Sequence, residues 1–137
     1  MIKIHQTINH ISLETEKVDR LVNFYHSVLG LKALPRPDFG FGGAWLQLPG
    51  GLALHIIERD PEKPSCDEPS SKVQAPERFI RRSHHVAFTV SNIELAKATL
   101  EAHGIAFAVN QVPGTPIEQL FFYDPDGNGI EIGNFNA

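Results

Sequence analysis

The sequence predicts an α+β fold made of two strand–helix–strand–strand–strand (βαβββ) modules in tandem. Two observations predict it: a short motif recurs in the two halves of the chain, and each copy is followed by the same order of helical and strand patterns. Residues 9–13 (NHISL) and 84–88 (HHVAF) both read polar, His, apolar, small, apolar, at an offset of 75 residues. Self-similarity of this kind is the signature of a repeated structural unit.

A helical pattern that ends at a glycine follows each copy of the motif. Apolar residues recur at helical spacing before Gly30 in the first half and before Gly104 in the second. A glycine just past the last periodic residue is a common helix C-cap. The first apolar set is Val18, Leu21, Val22, Tyr25, Val28 and Leu29, and the second is Ile93, Ala96 and Leu100.

Three short strands are predicted after each helix, at 31–34, 44–48 and 51–57 and again at 105–109, 118–123 and 129–133. The last two strands of each half are joined by turn residues, PGG in the first and DPDGNG in the second. We therefore expect a single domain over residues 1–137. Module one covers about residues 5–58, an irregular Pro-rich connector about 59–82, and module two about 83–135.

Composition places the chain among ordinary globular proteins. Its 137 residues are 42% hydrophobic and 20% charged, with a net charge of −4, and no basic stripe suggests nucleic-acid binding. No apolar run reaches the roughly 18 residues of a membrane span, and we expect a soluble, cytoplasmic protein. A single cysteine, Cys66, excludes an internal disulfide framework and a multi-thiolate metal site. Seven histidines remain, so any metal would be held by nitrogen and oxygen.

Strand alternation selects four of the potential metal ligands. Because neighbouring strand residues face opposite sides, His10, His55, His85 and Glu131 all lie opposite the apolar face of their strand. The spacing agrees, since His10 and His55 are 45 residues apart and His85 and Glu131 are 46 apart. If a pseudo-twofold axis relates the halves, the four side chains can converge on one point. Three imidazoles and a carboxylate suit a borderline divalent cation such as Zn²⁺, Ni²⁺, Fe²⁺, Co²⁺ or Mn²⁺, of which we expect Zn²⁺ or Ni²⁺ first.

The remaining aromatic and histidine residues are not predicted to bind the metal. We expect Trp45 to serve packing rather than substrate contact. Phe39 and Phe41, in the glycine-rich segment 35–43, could belong to a loop that folds over a pocket. No ligand role is assigned to the four remaining histidines, which are His5, His26, His84 and His103.

Several segments resemble the vicinal-oxygen-chelate superfamily, which includes glyoxalase I, fosfomycin- and bleomycin-resistance proteins and extradiol dioxygenases. They are NHIS at 9–12, NFYHSVLG at 23–30, HHVAF at 84–88 and FYDPDGNGIEI at 122–132. With GAWL at 43–46 and LHI at 54–56, the chain is most similar to short glyoxalase-I-like proteins of plants. The resemblance implies a cup-shaped mixed sheet around one divalent metal held by His10, His55, His85 and Glu131. It also implies a homodimer that acts on a small molecule.

In glyoxalase I, a glutamate at the position of Glu131 moves a proton between adjacent carbons of the glutathione–methylglyoxal adduct. This chain departs from that enzyme at several positions. His55 stands where a carboxylate is usual, Glu14 where an arginine is usual, and Arg59 where an amide is usual, while Arg81 matches the animal enzymes. A carboxylate at position 14 would repel the carboxylates of glutathione, which counts against glutathione as the partner.

The leading hypothesis is a divalent-metal-dependent isomerase or lyase of the glyoxalase I type. It would enolise an α-hydroxycarbonyl or thiohemiacetal substrate with Glu131 as the base. One alternative is a metal-dependent thiol transferase that opens an epoxide. Another is a non-catalytic module that binds a small molecule.

Overall fold

The chain divides into two compact units, each with its own sheet. The computed structural model describes residues 1–3, 8–61 and 85–137, and the units fall within Met1–Pro64 and Ser65–Ala137. Among these described residues, each unit has one four-stranded mixed sheet and one α-helix in the order βαβββ. The predicted fold class is therefore confirmed. His5, Cys66, Arg81, His84 and most of the predicted connector lie outside the described residues.

The elements of unit 1 are β1 (His10–Thr15), α1 (Val18–Ser27), β2 (Lys32–Leu34), β3 (Gly43–Gln47) and β4 (Ala53–Glu58). The strand order is β1-β4-β3-β2. Strands β1 and β4 pair in parallel, and the two other pairs are antiparallel. A short 3₁₀ turn at Pro49–Gly51 joins β3 to β4, and Gly50 and Gly51 there take the positive φ expected of this turn.

The elements of unit 2 are β5 (His85–Thr89), α2 (Ile93–Ala102), β6 (Ala108–Gln111), β7 (Glu118–Tyr123) and β8 (Gly129–Gly133). The strand order β5-β8-β7-β6 repeats that of unit 1, again with the first and last strands of the unit, β5 and β8, paired in parallel. The side chain of Asn92 caps α2 by accepting a hydrogen bond from the N–H of Leu95. In the described part of the chain, neither α-helix is long and apolar enough to cross a membrane.

The helices end two or three residues before the glycines that signal their ends, α1 at Ser27 and α2 at Ala102, and the strand after α2 begins later than predicted. Gly30 and Gly104 both have positive φ, at 71° and 66°. The N–H of Ile105 donates to the carbonyl of Leu100, so this residue still belongs to the turn that closes the helix. Pairing with β7 starts only at Ala108, opposite Phe121. The expected strand at 105–109 is wrong in its bounds, and the observed strand is Ala108–Gln111.

One face of each sheet packs against the helix of its unit. In unit 1, α1 contacts β3 and β4, and its residues Leu21, Phe24 and Tyr25 are buried. The strand residues on that face, including Leu54 and Ile56 on β4, are also buried. Removal of this apolar area from water holds the helix on the sheet. The candidate metal ligands therefore lie on the opposite face of each sheet.

The candidate ligands occupy equivalent positions in the two sheets. In unit 1 His10 pairs with Ala53, and His55 lies two residues further along β4. In unit 2 His85 pairs with Gly129, and Glu131 lies two residues further along β8. Each unit thus places two candidate ligands diagonally across its parallel strand pair, on one face.

Candidate functional site

In unit 1 the two candidate histidines lie ring on ring. The imidazoles of His10 and His55 stack with centroids 3.9 Å apart and an interplanar angle of 10°. On its other side, His55 stacks on Trp45, its cross-strand partner, at 4.3 Å and 6°. The stack fixes the plane of His55 from both faces. Trp45 thus serves packing, as expected, and the residue that it packs against is the candidate ligand His55.

The contacts of the two imidazoles bear on how each could bind an ion. His10 Nδ1 lies 2.8 Å from Asn9 Oδ1, and an amide oxygen can only accept, so Nδ1 is the nitrogen that donates in this contact. A neutral ring held in this way would present the lone pair of Nε2 to an ion. Burial lowers the pKa of His55, and the nearby His10 and Arg36 lower it further. His55 therefore stays neutral at neutral pH.

In unit 2 the carboxylate of Glu131 is buried and held at both oxygens. Its Oε1 accepts a hydrogen bond from Gln119 Nε2 at 2.7 Å, and its Oε2 lies 2.9 Å from His85 Nε2. Glu131 is only 5% exposed, so it is not the surface glutamate that a lone acidic residue on a strand usually is. An acidic residue buried this deeply with two side-chain partners is typical of a functional carboxylate.

The pair formed by His85 and Glu131 fits a divalent ion. Two donor atoms about 2.0–2.1 Å from one ion are about 2.8–3.4 Å apart for angles between octahedral and tetrahedral. The observed 2.9 Å between Nε2 and Oε2 lies inside that range. The same 2.9 Å is the length of a hydrogen bond between the two groups, so an ion would take the place of that bond with little movement of either side chain.

A row of hydrogen-bonded side chains extends from Glu131 to the far edge of its sheet. Asn110 Nδ2 on β6 donates to Gln119 Oε1 on β7 at 2.8 Å, which orients the amide so that its nitrogen points at Glu131. The row Asn110, Gln119, Glu131 and His85 thus crosses all four strands of unit 2. Such a network fixes the position of its central carboxylate.

Two aromatic rings lie near other residues on the Glu131 face of the sheet. Phe121 is the cross-strand partner of Glu131, is buried, and meets the His85 ring edge to face at 6.0 Å. The ring of Phe135 covers Gly133 so closely that an added Cβ would lie 2.5 Å from it. Gly133 shares the face of Glu131, so the glycine makes room for an apolar wall beside the carboxylate.

The structure brings the four sequence-predicted ligands together as two pairs. His10 contacts His55 within unit 1, and His85 contacts Glu131 within unit 2. Within residues 1–3, 8–61 and 85–137, no group of three or more His, Cys, Asp or Glu side chains is placed to hold an ion. The assignment of all four to one metal thus remains a prediction.

The structure also describes the aromatic residues of segment 35–43 and the charged residues at positions 14 and 59, where the chain differs from glyoxalase I. Phe39 and Phe41 are about half exposed and stack at 5.7 Å, and Phe39 reaches to 6.1 Å from Trp45. Arg59 donates to Glu16 at 2.6 Å, while Glu14 is exposed. The charge of Arg59 is thus directed at a neighbouring carboxylate.

Sequence reasoning missed the residues that hold the ligands. Asn9 was part of the repeated motif, yet its contact with His10 could not be read from the motif alone. Gln119 lies on the Glu131 face because it is two residues from Phe121, and the predicted strand 118–123 contained that signal. Phe135 gave no signal, because it lies beyond the last strand.

Comparison with known proteins decides the family. A family model of the Glyoxalase/Bleomycin resistance protein/Dioxygenase superfamily matches residues 7–132. The chain belongs to this superfamily. The match spans both units, so the predicted resemblance to the vicinal-oxygen-chelate group is confirmed.

Relatives with different activities in their names lie within this superfamily. The chain is 33% identical to Glyoxylase I 4 of Arabidopsis thaliana, with 98% of this chain and 74% of the relative covered. It is 31% identical to Catechol-2,3-dioxygenase of Bacillus subtilis, covering 96% of this chain but only 43% of that protein. A solved glyoxalase/dioxygenase from Nostoc punctiforme superposes with a TM-score of 0.69 at 28% identity, over 93% of this chain and 90% of that one.

Proposed function

We propose that the protein is a divalent-metal-dependent isomerase or lyase that enolises an α-hydroxycarbonyl or thiohemiacetal substrate. The observation that carries the proposal is the buried carboxylate of Glu131, held by Gln119 and His85 on the face opposite the helix. A carboxylate that is fixed in position and shielded from water can take a proton from carbon and return it to the next carbon. The similarity to Glyoxylase I 4 supports the same class of reaction.

We propose His10, His55, His85 and Glu131 as the ligands of one divalent ion, Zn²⁺ or Ni²⁺ with Fe²⁺, Co²⁺ or Mn²⁺ as alternatives. The neutral form of His55, the Nδ1 proton of His10 and the spacing of His85 and Glu131 support this set. When bound, the ion would act as a Lewis acid on the carbonyl oxygen and make the neighbouring C–H more acidic. Glu131 would take the proton from one carbon on Oε2 and return it to the next carbon, while Oε1 keeps its hydrogen bond from Gln119.

Proton exchange at carbon tests the proposal directly. Hydroxyacetone, a small α-hydroxyketone, is incubated in D₂O with protein reconstituted with one ion at a time, and NMR follows the loss of carbon-bound hydrogen. We expect exchange above the rate of the free ion. The methylglyoxal–glutathione adduct, measured by absorbance, tests the glutathione-dependent version, which the exposed Glu14 and the paired Arg59 count against. Absence of turnover or exchange with both compounds and every ion would exclude the proposal.

Gln119 is a positioning residue for the proposed base. Gln119→Leu removes the donor to Glu131 Oε1 at 2.7 Å while keeping a side chain of similar size. Loss of a hydrogen bond to a charged group costs about 1.5–3 kcal/mol, so we expect kcat for exchange to fall about 10–100-fold with KM little changed. Gln111→Leu is the matched control, because Gln111 is exposed and lies on the opposite face of the sheet from Gln119, and it should leave kcat unchanged. A rise in KM with kcat unchanged would instead indicate that Gln119 contributes to substrate binding.

We further propose that the protein works as a homodimer whose sites combine unit 1 of one chain with unit 2 of the other. Each unit carries two of the four proposed ligands, so two chains that pair unit 1 with the partner's unit 2 can form complete sites. His10→Ala disables unit 1 and Glu131→Gln disables unit 2, so random pairing of the two inactive variants should restore about a quarter of the wild-type sites. Subunits are mixed by co-expression, and activity and mass are measured. Dimers without recovered activity would show instead that each chain completes its own site.

A further inference from the structure

Unit 1 holds a guanidinium beside its histidine pair that the proposed reaction does not use. Arg36 follows β2, and its guanidinium lies about 3.0 Å from the point where a Cβ on Gly43 would stand. Gly43 is two residues from Trp45 on β3, so Arg36 lies on the face of the sheet that carries Trp45 and His55. Any side chain at position 43 would fill the space that Arg36 occupies.

The charge of Arg36 has no carboxylate partner in the described part of the chain. Its only hydrogen bond there runs from Nη2 to the carbonyl of Phe41, and its buried Nε has no acceptor. Two carboxylates lie in this region and both are bonded to backbone rather than ion-paired with Arg36: Asp38 accepts from the N–H of Gly40, and Glu58 accepts from the N–H of Gly42 at 2.7 Å. Arg36 therefore keeps most of its donors for another acceptor.

Aromatic rings hold the guanidinium in place. It lies 5.0 Å from the ring centroid of Phe39 and 5.3 Å from that of Phe41. Both rings are about half exposed, and with Trp45 they form an apolar surface next to the cation. A cation set beside exposed aromatic rings suits an anion that is attached to an apolar body.

We propose that Arg36 binds a carboxylate group of the substrate, with the apolar part of the substrate against Phe39 and Phe41. One guanidinium with unused donors matches one carboxylate in a bidentate contact. The inference rests on the proposed function in taking this face of unit 1 as the substrate side. It makes the substrate class an organic acid with an apolar body.

Binding at this surface is measured by the fluorescence of Trp45. It is the only tryptophan of the chain and lies 6.1 Å from Phe39 and 4.3 Å from His55, so its fluorescence reports on this surface alone. The probes are 3-phenylpropanoate and its neutral amide, 3-phenylpropanamide, which lack vicinal oxygens. Titrations are run with Zn²⁺ and with EDTA. Because they need neither turnover nor metal, failure here is distinguishable from failure of the proposed reaction.

We expect the wild-type protein to bind the carboxylate about tenfold more tightly than the amide, and Arg36→Gln to remove this difference. Arg36→Lys keeps the positive charge but lacks the two parallel N–H donors of a guanidinium, so it should retain part of the preference for the carboxylate. Arg59→Gln is the matched control, because Arg59 is paired with Glu16, and it should keep the full difference. Equal binding of the two probes by the wild type, an undiminished preference in Arg36→Gln, or an equal loss in Arg59→Gln would each overturn the proposal.

Discussion

Glu131→Gln should lower the rate of carbon–hydrogen exchange by about 10²–10⁴-fold, the usual contribution of a general base. Glutamine keeps the size of the side chain and one oxygen able to accept from Gln119, but it cannot take a proton at neutral pH. Exchange is measured by NMR in D₂O with hydroxyacetone, at equal metal content as determined by elemental analysis. The comparison at equal metal content separates the loss of a base from the loss of a ligand.

The control for this variant is Glu118→Gln, one strand away. Glu118 pairs with Lys97 at 2.8 Å and lies on the other face of β7 from Phe121, which partners Glu131. A partly exposed ion pair of this kind contributes about 0–1 kcal/mol to stability, so its loss should leave the exchange rate unchanged. An exchange rate in Glu131→Gln equal to that of the wild type would remove Glu131 from the role of base.

His10→Ala should abolish stoichiometric binding of the metal. The change deletes one of four proposed ligands, and replacing even an outer partner of a ligand typically weakens metal affinity about 10–100-fold. We therefore expect a larger loss for His10→Ala and a loss within that range for Asn9→Ala, which removes only the acceptor of the Nδ1 proton. Metal per chain is measured by elemental analysis after dialysis, and affinity by competition with a chelating dye.

His26→Ala provides the matched histidine deletion. His26 is exposed on α1, and its Nδ1 lies 2.9 Å from the carbonyl of Leu31. Its removal should leave metal content unchanged. Retention of one ion per chain by His10→Ala, or an equal loss in His26→Ala, would contradict the assignment of His10 as a ligand.

The arrangement of elements could be predicted because it depends on local patterns and on the repeat. Gly30 and Gly104 mark the helix ends since their positive φ is unfavourable for other residues. Strand alternation placed His55 and Glu131 opposite the apolar face, since neighbouring strand residues point to opposite sides. The beginning of β6 at Ala108 was missed, because a strand starts where its partner supplies hydrogen bonds and that partner is ten or more residues away.

The sequence by itself determined the two βαβββ modules, the family and the four candidate ligands, because periodicity, turn residues and the repeat are properties of the chain order. Only the tertiary structure decided what those ligands touch. The stack of His10 and His55 on Trp45 depends on which strands become neighbours. The hydrogen bond of Gln119 to Glu131 and the open donors of Arg36 depend on side-chain directions across strands and loops. Contacts between residues distant in sequence are set by packing and pairing, which no local pattern encodes.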